Sequence, residues 1–383
     1  MLNDLVDWEY NHLVRGIAER LDISKQQVKE VIDRGYITVD KFMELGWIDD
    51  ILYEDQLFER LKKLNRTGLT RKLNQISAST YNRISLESLG LNKGKNRIAL
   101  IYSQGEIQEG DDDLSPLTFN VIAGTDPMIR AIRRATKSNS VKAIVFRVDS
   151  PGGSGIGCDL VWREISKAKQ KKPVIVSMSD YAASGGYWVS MGATAIVAQP
   201  SSLTGSIGIW GIFPNISGLY NKLGLVEENI KRGKHADMLL GVKKLTDYEK
   251  NLFRDRLHQT YKEFVSKAAE SRGIAYAKLE SFAKGRSWMG DQAKKHGLID
   301  ELGGLDRAIE LAREKAAIDS TEKVKVVVYT IQKSWIEKLL SDPIISWVFK
   351  KVKNNGLRDT WQSLIDKQGV FLSPMLPYRI WIH

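Results

Sequence analysis

From Arg97 onward, short β-branched runs alternate with stretches of helical character. The runs are RIALIYSQGEI (97–107), KAIVFRV (142–148), KPVIVSM (172–178) and TAIVAQP (194–200). Each is apolar nearly throughout and bounded by Gly, Pro or Asp, the pattern of strands buried on both faces. Strands alternating with helices imply βαβ units and a mostly parallel sheet, an α/β fold. Thr125-Asp126-Pro127 reads as a helix start with proline at the first helical position.

At 383 residues the whole chain is too long for one core, so two domains or one domain with appendages are expected. Residues 1–63 read as helical: Leu5, Trp8, Leu13, Ile17 and Leu21 recur at helical spacing, and Ser24 with Gln27 suggests a capped second helix. Residues 64–96 are polar, rich in Asn and Ser, and read as a linker. Residues 97–316 form the main domain, helical again from 242. A tail over 317–383 holds one strand (KVKVVVYTI), then an amphipathic helix bearing Trp335, Trp347 and Trp361.

An internal repeat connects the two helical regions. Shifted by 251, residues 1–63 overlay 252–314 without a gap. Tyr10 meets Tyr261, Val14 meets Val265, Ala18-Glu19 meets Ala269-Glu270, Asp40 meets Asp291, Gly46 meets Gly297, and Ile48-Asp49 meets Ile299-Asp300. The two regions are either unrelated amphipathic helix pairs or a true repeat; the repeat is the expectation, and it makes residues 1–63 the helical tail of an earlier copy whose sheet-forming part is absent.

Two glycine-flanked turns carry the candidate chemistry. Strand KAIVFRV leads into Asp149-Ser150-Pro151-Gly152-Gly153-Ser154, which is either an oxyanion-holding turn or a tight turn capped by Ser154. Strand KPVIVSM leads to Ala183-Ser184-Gly185-Gly186, where Ser184 is either an exposed nucleophile or a capping serine. Both turns fall at strand C-termini on neighbouring βα units, where open α/β sheets bind ligands. None of the five histidines (His12, His235, His258, His296, His383) sits where a Ser-His-Asp triad wants it. His258 and His296 read as surface residues, and His235 is a weak candidate after the KRGK turn. A buried neutral lysine is the alternative base.

SPGGS, AASGGYW and PSSLTGSIGI, in that order, together with GRSWMGDQAKKHGLIDELGG (285–304) and the ending Leu376-Pro377-Tyr378-Arg379-Ile380, resemble the signal peptide peptidase A (protease IV) family of serine peptidases. The resemblance covers roughly residues 97–316. It implies a ββα spiral like that of the Clp peptidase and crotonase superfamily, and a Ser-Lys dyad. By motif, Ser184 looks like the nucleophile, Gly153 and Gly185 like oxyanion donors, and Ser206 like the hydroxyl that holds the lysine amine. The departure is at Lys231-Arg-Gly-Lys-His-Ala236-Asp237, with alanine where short one-copy members carry the lysine. Lys234, two residues away, is a poor substitute. Long two-copy members draw the lysine from the first copy and the serine from the second, and 236 less 251 is −15, before Met1. This chain is accordingly expected to be the C-terminal part of such a peptidase, its lysine supplied upstream or by another subunit.

The implied substrates are hydrophobic peptides such as signal-peptide remnants, with Ile156, Trp188 and Trp210 as groove candidates. No cofactor or metal is implied. The single Cys158 excludes a disulfide framework and a thiolate metal cluster within the chain. The net charge of +11 hints at nucleic acid or anionic lipid, but the charges are dispersed and nucleic acid is not expected as a partner. Homo-oligomers and contact with a membrane surface are expected instead. The location implied is the bacterial inner membrane, peripheral or anchored through the missing N-terminal part. No secretory leader is read at Met1-Leu2-Asn3-Asp4, and no apolar run approaches the ~18 residues of a spanning helix. Two other readings stand beside the peptidase: a catalytically silent partner subunit, motivated by Ala236, and a crotonase-type acyl-CoA enzyme.

Overall fold

A computed structural model of the chain describes residues 2–35, 38–65, 73, 75–82, 92, 94–114 and 121–329. The amphipathic Trp-bearing helix and aromatic ending expected beyond residue 330, and most of the linker over 64–96, lie outside the described residues.

Four helices open the chain: α1 (Leu2–Leu21), α2 (Lys25–Asp33), α3 (Val39–Glu44) and α4 (Glu54–Leu64), followed by the short α5 (Ala78–Asn82). Ser24 and Gln27 form a reciprocal capping box at the start of α2. Val14, Ala18 and Val28 make a small core between α1 and α2, with Tyr10, Ile17 and Trp47 packed around it.

The main domain continues with β1 (Asn96–Gln104), β2 (Glu106–Gln108), β3 (Asp113–Leu114), β4 (Val121–Gly124), α6 (Thr125–Lys137), β5 (Val141–Ser150), α7 (Gly155–Lys169), β6 (Val174–Ala183), α8 (Gly185–Met191), β7 (Ala195–Ala198), β8 (Leu203–Gly205) and α9 (Ser217–Lys222). Then follow α10 (Asp247–Arg272), α11 (Tyr276–Phe282), β9 (Ser287–Met289), α12 (Gly290–Lys295), β10 (Glu301–Leu302), α13 (Leu305–Lys315) and β11 (Val324–Val328); β11, the strand expected in the 317–383 extension, pairs with β1 of the main domain. Among the described residues the large sheet runs β10-β7-β6-β5-β1-β11, with β8 and β9 attached beyond β6. Its pairings are parallel except β8 with β9.

The sheet is buried on both faces because its strands are apolar at successive positions. Ile98, Leu100, Val145, Ile175 and Val197 face one way and meet Ala308, Leu311 and Ala312 of α13. The alternate residues Ile101, Ile144, Phe146, Val176 and Ile196 face the larger core that holds α6, α7 and α8. Gly105 (φ +98°) lets β1 pass directly into β2, since a Cβ there would lie 1.9 Å from the Val121 carbonyl oxygen. A small sheet β2-β4-β3 forms beside the large one, and Gly153, just after β5, bridges to Ile107 of β2. Successive turns of chain thus supply the large sheet, the small sheet and a helix, which is the expected ββα spiral.

Two local details differ from expectation. The cap of α6 is Gly124, and Pro127 is its third residue rather than its first. The Gly124 N–H donates to the Asp112 carboxylate at 2.9 Å and the Gly110 N–H to the Thr125 hydroxyl at 3.3 Å, so side-chain contacts pull the start two residues earlier. Proline is still tolerated there, because first-turn N–H groups have no helical acceptor. The stretch read as helical from 242 also contains β9 and β10, three and two residues long, too short to leave a period.

The helical elements repeat at the same shift as the residues. Moved by 251, α3 and α4 coincide with α12 and α13 residue for residue, α1 ends where α10 ends, and α2 begins where α11 begins. The turns match as well: Asp22 (φ 54°) falls on Gly273 (φ 63°) and Gly46 (φ 72°) on Gly297 (φ 76°). The bond from Ile23 N–H to the Ala18 carbonyl (3.1 Å) has its counterpart from Ile274 N–H to Ala269 (2.9 Å).

Candidate active site

The site begins with a register. Strands β6 and β8 run parallel, pairing Ala182 with Thr204 and Ala183 with Gly205. The next residue on each strand, Ser184 and Ser206, therefore leaves the sheet beside the other. The Ser184 N–H donates to the Gly205 carbonyl at 3.0 Å, and the Ser206 N–H to the Arg286 carbonyl at 2.8 Å. Both serines have positive φ, 52° and 48°. With ψ at −116°, Ser184 lies outside even the left-handed helical well. Such backbone costs a non-glycine residue about 1–3 kcal/mol and persists only where its surroundings over-determine it. Here the register, the bond to Gly205 and the start of α8 do so.

Opposite Ser184 stands the Gly152-Gly153 turn, pinned to β2 on both sides. The Ile107 N–H donates to the Gly152 carbonyl and the Ser154 N–H to the Ile107 carbonyl, each at 2.8 Å. Gly153 (φ +150°) has no room for a side chain, since a Cβ would sit 2.0 Å from the Ile107 carbonyl oxygen. A Cβ on Gly185 would lie 2.9 Å from the Gly153 nitrogen and 2.5 Å from the Cys158 sulfur. The two glycines thus bring their backbones against one another beside Ser184. Gly185 is the first residue of α8, whose N–H has no acceptor within the helix.

The two serines that sequence alone leaves ambiguous now separate. Ser154 caps α7, accepting from the Gly157 N–H at 3.3 Å, and its hydroxyl donates to Glu109. Ser184 occupies the N-cap position of α8 but its side chain caps nothing. The Ser206 hydroxyl reaches the Gly285 carbonyl only at 3.4 Å.

Ser184 opens onto two cavities. One, of about 580 Å³, holds Ser184, Ser206, Tyr261, His258, Arg254 and Lys284 on its wall. The other, of about 760 Å³, is lined by Gly152, Gly153, Ile156, Trp210, Glu106 and Glu109, again with Ser184. Ile156 and Trp210 are 68% and 76% exposed, which suits a groove for apolar side chains. Trp188 is not part of that groove: it is buried, stacks on Phe264 at 4.3 Å and donates to Asp159 at 3.2 Å.

Beneath the turn, burial pushes the Cys158 thiol up to about 12, so it is a packing group rather than a second nucleophile. Burial also raises the Asp149 carboxyl above the usual carboxylate range, against the lowering effect of the Tyr181 N–H that donates to it. Among the described residues no cluster of His, Cys, Asp and Glu could hold a metal ion.

The histidines redistribute. His258, read as a surface residue, lines the cavity that Ser184 and Ser206 share. His296 is half-buried between Phe282 (4.7 Å) and Trp288 (4.1 Å), where burial lowers its pKa. His235 is bonded to Glu249 at 3.1 Å, in a polar cluster with Asp237, Lys231 and Lys243. Neither His235, Lys234 nor Ala236 lines either cavity, and Lys234 and Ala236 are exposed. Nothing in the sequence marks Arg254 and Lys284, because they approach the serines only through tertiary packing.

The family model described as Peptidase family S49 matches residues 166–319. A chloroplastic serine protease SPPA of Arabidopsis thaliana is 38% identical over 328 residues, 85% of this chain and 48% of that protein. Protease 4 of Haemophilus influenzae is 29% identical over 315 residues, 80% of this chain and 50% of its own length. A putative protease of Synechocystis is 30% identical over 203 residues, 53% of this chain and 73% of that protein. The chain thus spans about half the length of the first two relatives.

Proposed function

The chain belongs to peptidase family S49, and on that footing we propose that it is the serine-bearing part of a Ser-Lys endopeptidase acting on hydrophobic peptides. The observation that carries this reading is Ser184 itself. Its hydroxyl caps nothing, and its backbone is strained beside two glycines that nothing larger could replace. In the proposed reaction the Ser184 Oγ attacks the peptide carbonyl carbon while a neutral lysine amine takes the hydroxyl proton. The N–H groups of Gly153 and Gly185 hold the oxyanion that forms. The lysine then protonates the departing amine, leaving an acyl-enzyme at Ser184 that water hydrolyses by the same steps. Ser206, leaving the sheet beside Ser184, orients the amine.

The lysine is assigned to another copy of the fold. The coincidence of α1–α4 with α10–α13 at a shift of 251 supports residues 1–63 as the end of an earlier copy. The counterpart of Ala236 in that copy precedes Met1. Lys284 lines the cavity but is exposed, whereas a lysine base is made by burial. Ala236 favours the second reading, a silent subunit. Membership of a peptidase family argues against the acyl-CoA alternative. Hydrophobic remnants of signal peptides place the work at a bacterial inner membrane, on its surface or through another segment of the protein; no described helix is long and apolar enough to cross a membrane.

The test is a fluorophosphonate probe, applied to the chain alone and with a lysine-bearing first copy fused upstream or mixed in. Labelling and peptide hydrolysis that rise with the added copy, and vanish in Ser184→Ala, are expected. Fusion and mixture together separate a base supplied in cis from one supplied in trans. A Ser184 that is unlabelled in every combination would establish the silent subunit instead.

A further inference from the structure

The wall of the cavity shared by Ser184 and Ser206 is unbalanced in charge. Arg254 and His258 project from α10 and Lys284 from the turn between α11 and β9, and among the described residues no Asp or Glu lines the same space. These groups are not neutralised elsewhere. Arg254 donates to the neutral amide oxygen of Asn251 at 3.2 Å, and no ion pair holds Arg254, His258 or Lys284 among the described residues. The position of Lys284 is also specified, because it adopts a left-handed φ of 53° between Ala283 and Gly285. Just inside it, the Gly285 backbone meets Ser206 and the Gly285 N–H donates to the Ile207 carbonyl at 2.8 Å. The adjoining cavity shares Ile209, Trp210 and Leu257 but differs in charge: Glu106 and Glu109 line it together with Arg256, so its charge is mixed.

We propose that the Ser206-side cavity is a carboxylate subsite, in which Arg254 and Lys284 bind a carboxylate of the peptide being cleaved. Bringing cations into one cavity without a counter-charge is repulsive, and a bound carboxylate relieves it. Arg254 offers a planar fork that a carboxylate can accept from at both oxygens, and Lys284 a mobile point charge. His258 adds a third positive group when protonated. The apolar part of the same wall, Ile209, Trp210 and Leu257, takes the neighbouring hydrophobic residues. A free C-terminus and an Asp or Glu side chain both present the same two oxygens, and the measurement below distinguishes them. This inference rests on the peptidase reading, so its test is a binding measurement that needs no turnover.

The full chain carrying Ser184→Ala is titrated into fluorescein-labelled apolar hexapeptides, with anisotropy as the readout. Four forms are compared: C-terminal carboxylate or carboxamide, each with internal Glu or Gln. Forms with a carboxylate in the subsite are expected to bind on the order of tenfold tighter at low salt, a margin that shrinks as salt is raised. Preference confined to the C-terminal acid assigns the subsite to chain ends; preference following Glu assigns it to side chains. Lys284→Gln and Arg254→Gln should each bring the carboxylate forms down toward the neutral ones. Lys284→Glu should invert the preference toward a peptide bearing Lys, which a merely structural role for Lys284 would not produce. Equal affinity for all four forms overturns the subsite while leaving the peptidase reading intact. Failure of every form to bind overturns the subsite and the peptide groove together.

Discussion

At the scale of single residues, the site is held by two glycines for different reasons. Gly153 is confined by backbone, the Ile107 carbonyl oxygen, which cannot move without unpairing β2. Gly185 is confined by a side chain, the Cys158 sulfur, as well as by Gly153. Gly153→Ala should therefore displace the turn and its N–H rather than merely crowd it. Loss of one oxyanion donor costs about 10²–10³ in rate, and displacement of the turn should cost at least that. The check is the rate of fluorophosphonate labelling at Ser184 in the lysine-complemented protein. A rate within a factor of about three of the unmodified protein would remove Gly153 from the proposed role. Ser184 pays for its exposure in backbone strain, and the strain is retained because three neighbours impose it.

At the scale of elements, the segment that carries Ala236 has its own polar anchor. Asp237 and Glu249 are buried, and Lys231, Lys243 and His235 surround them, so the loop is tied to the first turn of α10. Thr246 and Glu249 complete the capping box of that helix. Hydrogen bonds from Lys231 and Lys243 hold the Asp237 carboxyl down to about 2. Those of Thr246, His235 and Lys243 hold Glu249 well below the usual carboxylate range. A carboxyl whose folded pKa is depressed contributes stability above its unfolded value, near 4, and that stability is lost as pH falls toward the folded value. Stability should therefore decline between about pH 4 and pH 2 more steeply than in an Asp237→Asn variant. Urea unfolding across that range measures it, and identical pH slopes for the two proteins would refute the account. Position 236, next to this anchor, lines neither cavity that Ser184 opens onto.

At the scale of the whole molecule, one sheet separates two cores. Phe146 faces the larger core under α6, α7 and α8, and Leu311 covers the other face from α13. Both are almost wholly buried, Phe146 at 0% and Leu311 at 3% exposure. Because they share the same strands, the two faces should unfold as one unit. Phe146→Ala and Leu311→Ala should each cost about 2–5 kcal/mol and shift the same denaturation midpoint. Two separated transitions in either variant would show that the faces are independent. The helices α1–α4 reproduce α10–α13 without a sheet of their own: where α13 turns Ala308 and Ala312 to the sheet, α4 leaves the equivalent Leu57 and Leu61 partly exposed.

What the sequence determined by itself was local or periodic. Strands buried on both faces must be apolar at every position, so β1, β5, β6 and β7 were legible as runs, and their alternation with helices implied the parallel sheet. The glycine pairs announced two turns at strand ends, and the shift of 251 needed only residue identities. Tertiary structure decided everything that depends on residues far apart in the chain. The pairing of β6 with β8 puts Ser206 beside Ser184 across 22 residues, and the hydrogen bond from the Gly157 N–H distinguishes a capping Ser154 from a Ser184 that caps nothing. Trp188 is core and Trp210 is exposed on a cavity wall although both are tryptophans after strands, since only packing chooses which ring is covered. Arg254, His258 and Lys284 meet in one cavity because helix α10 and the turn before β9 converge there. No spacing in the sequence encodes that convergence, which arises from burying the apolar faces of both elements on a common core.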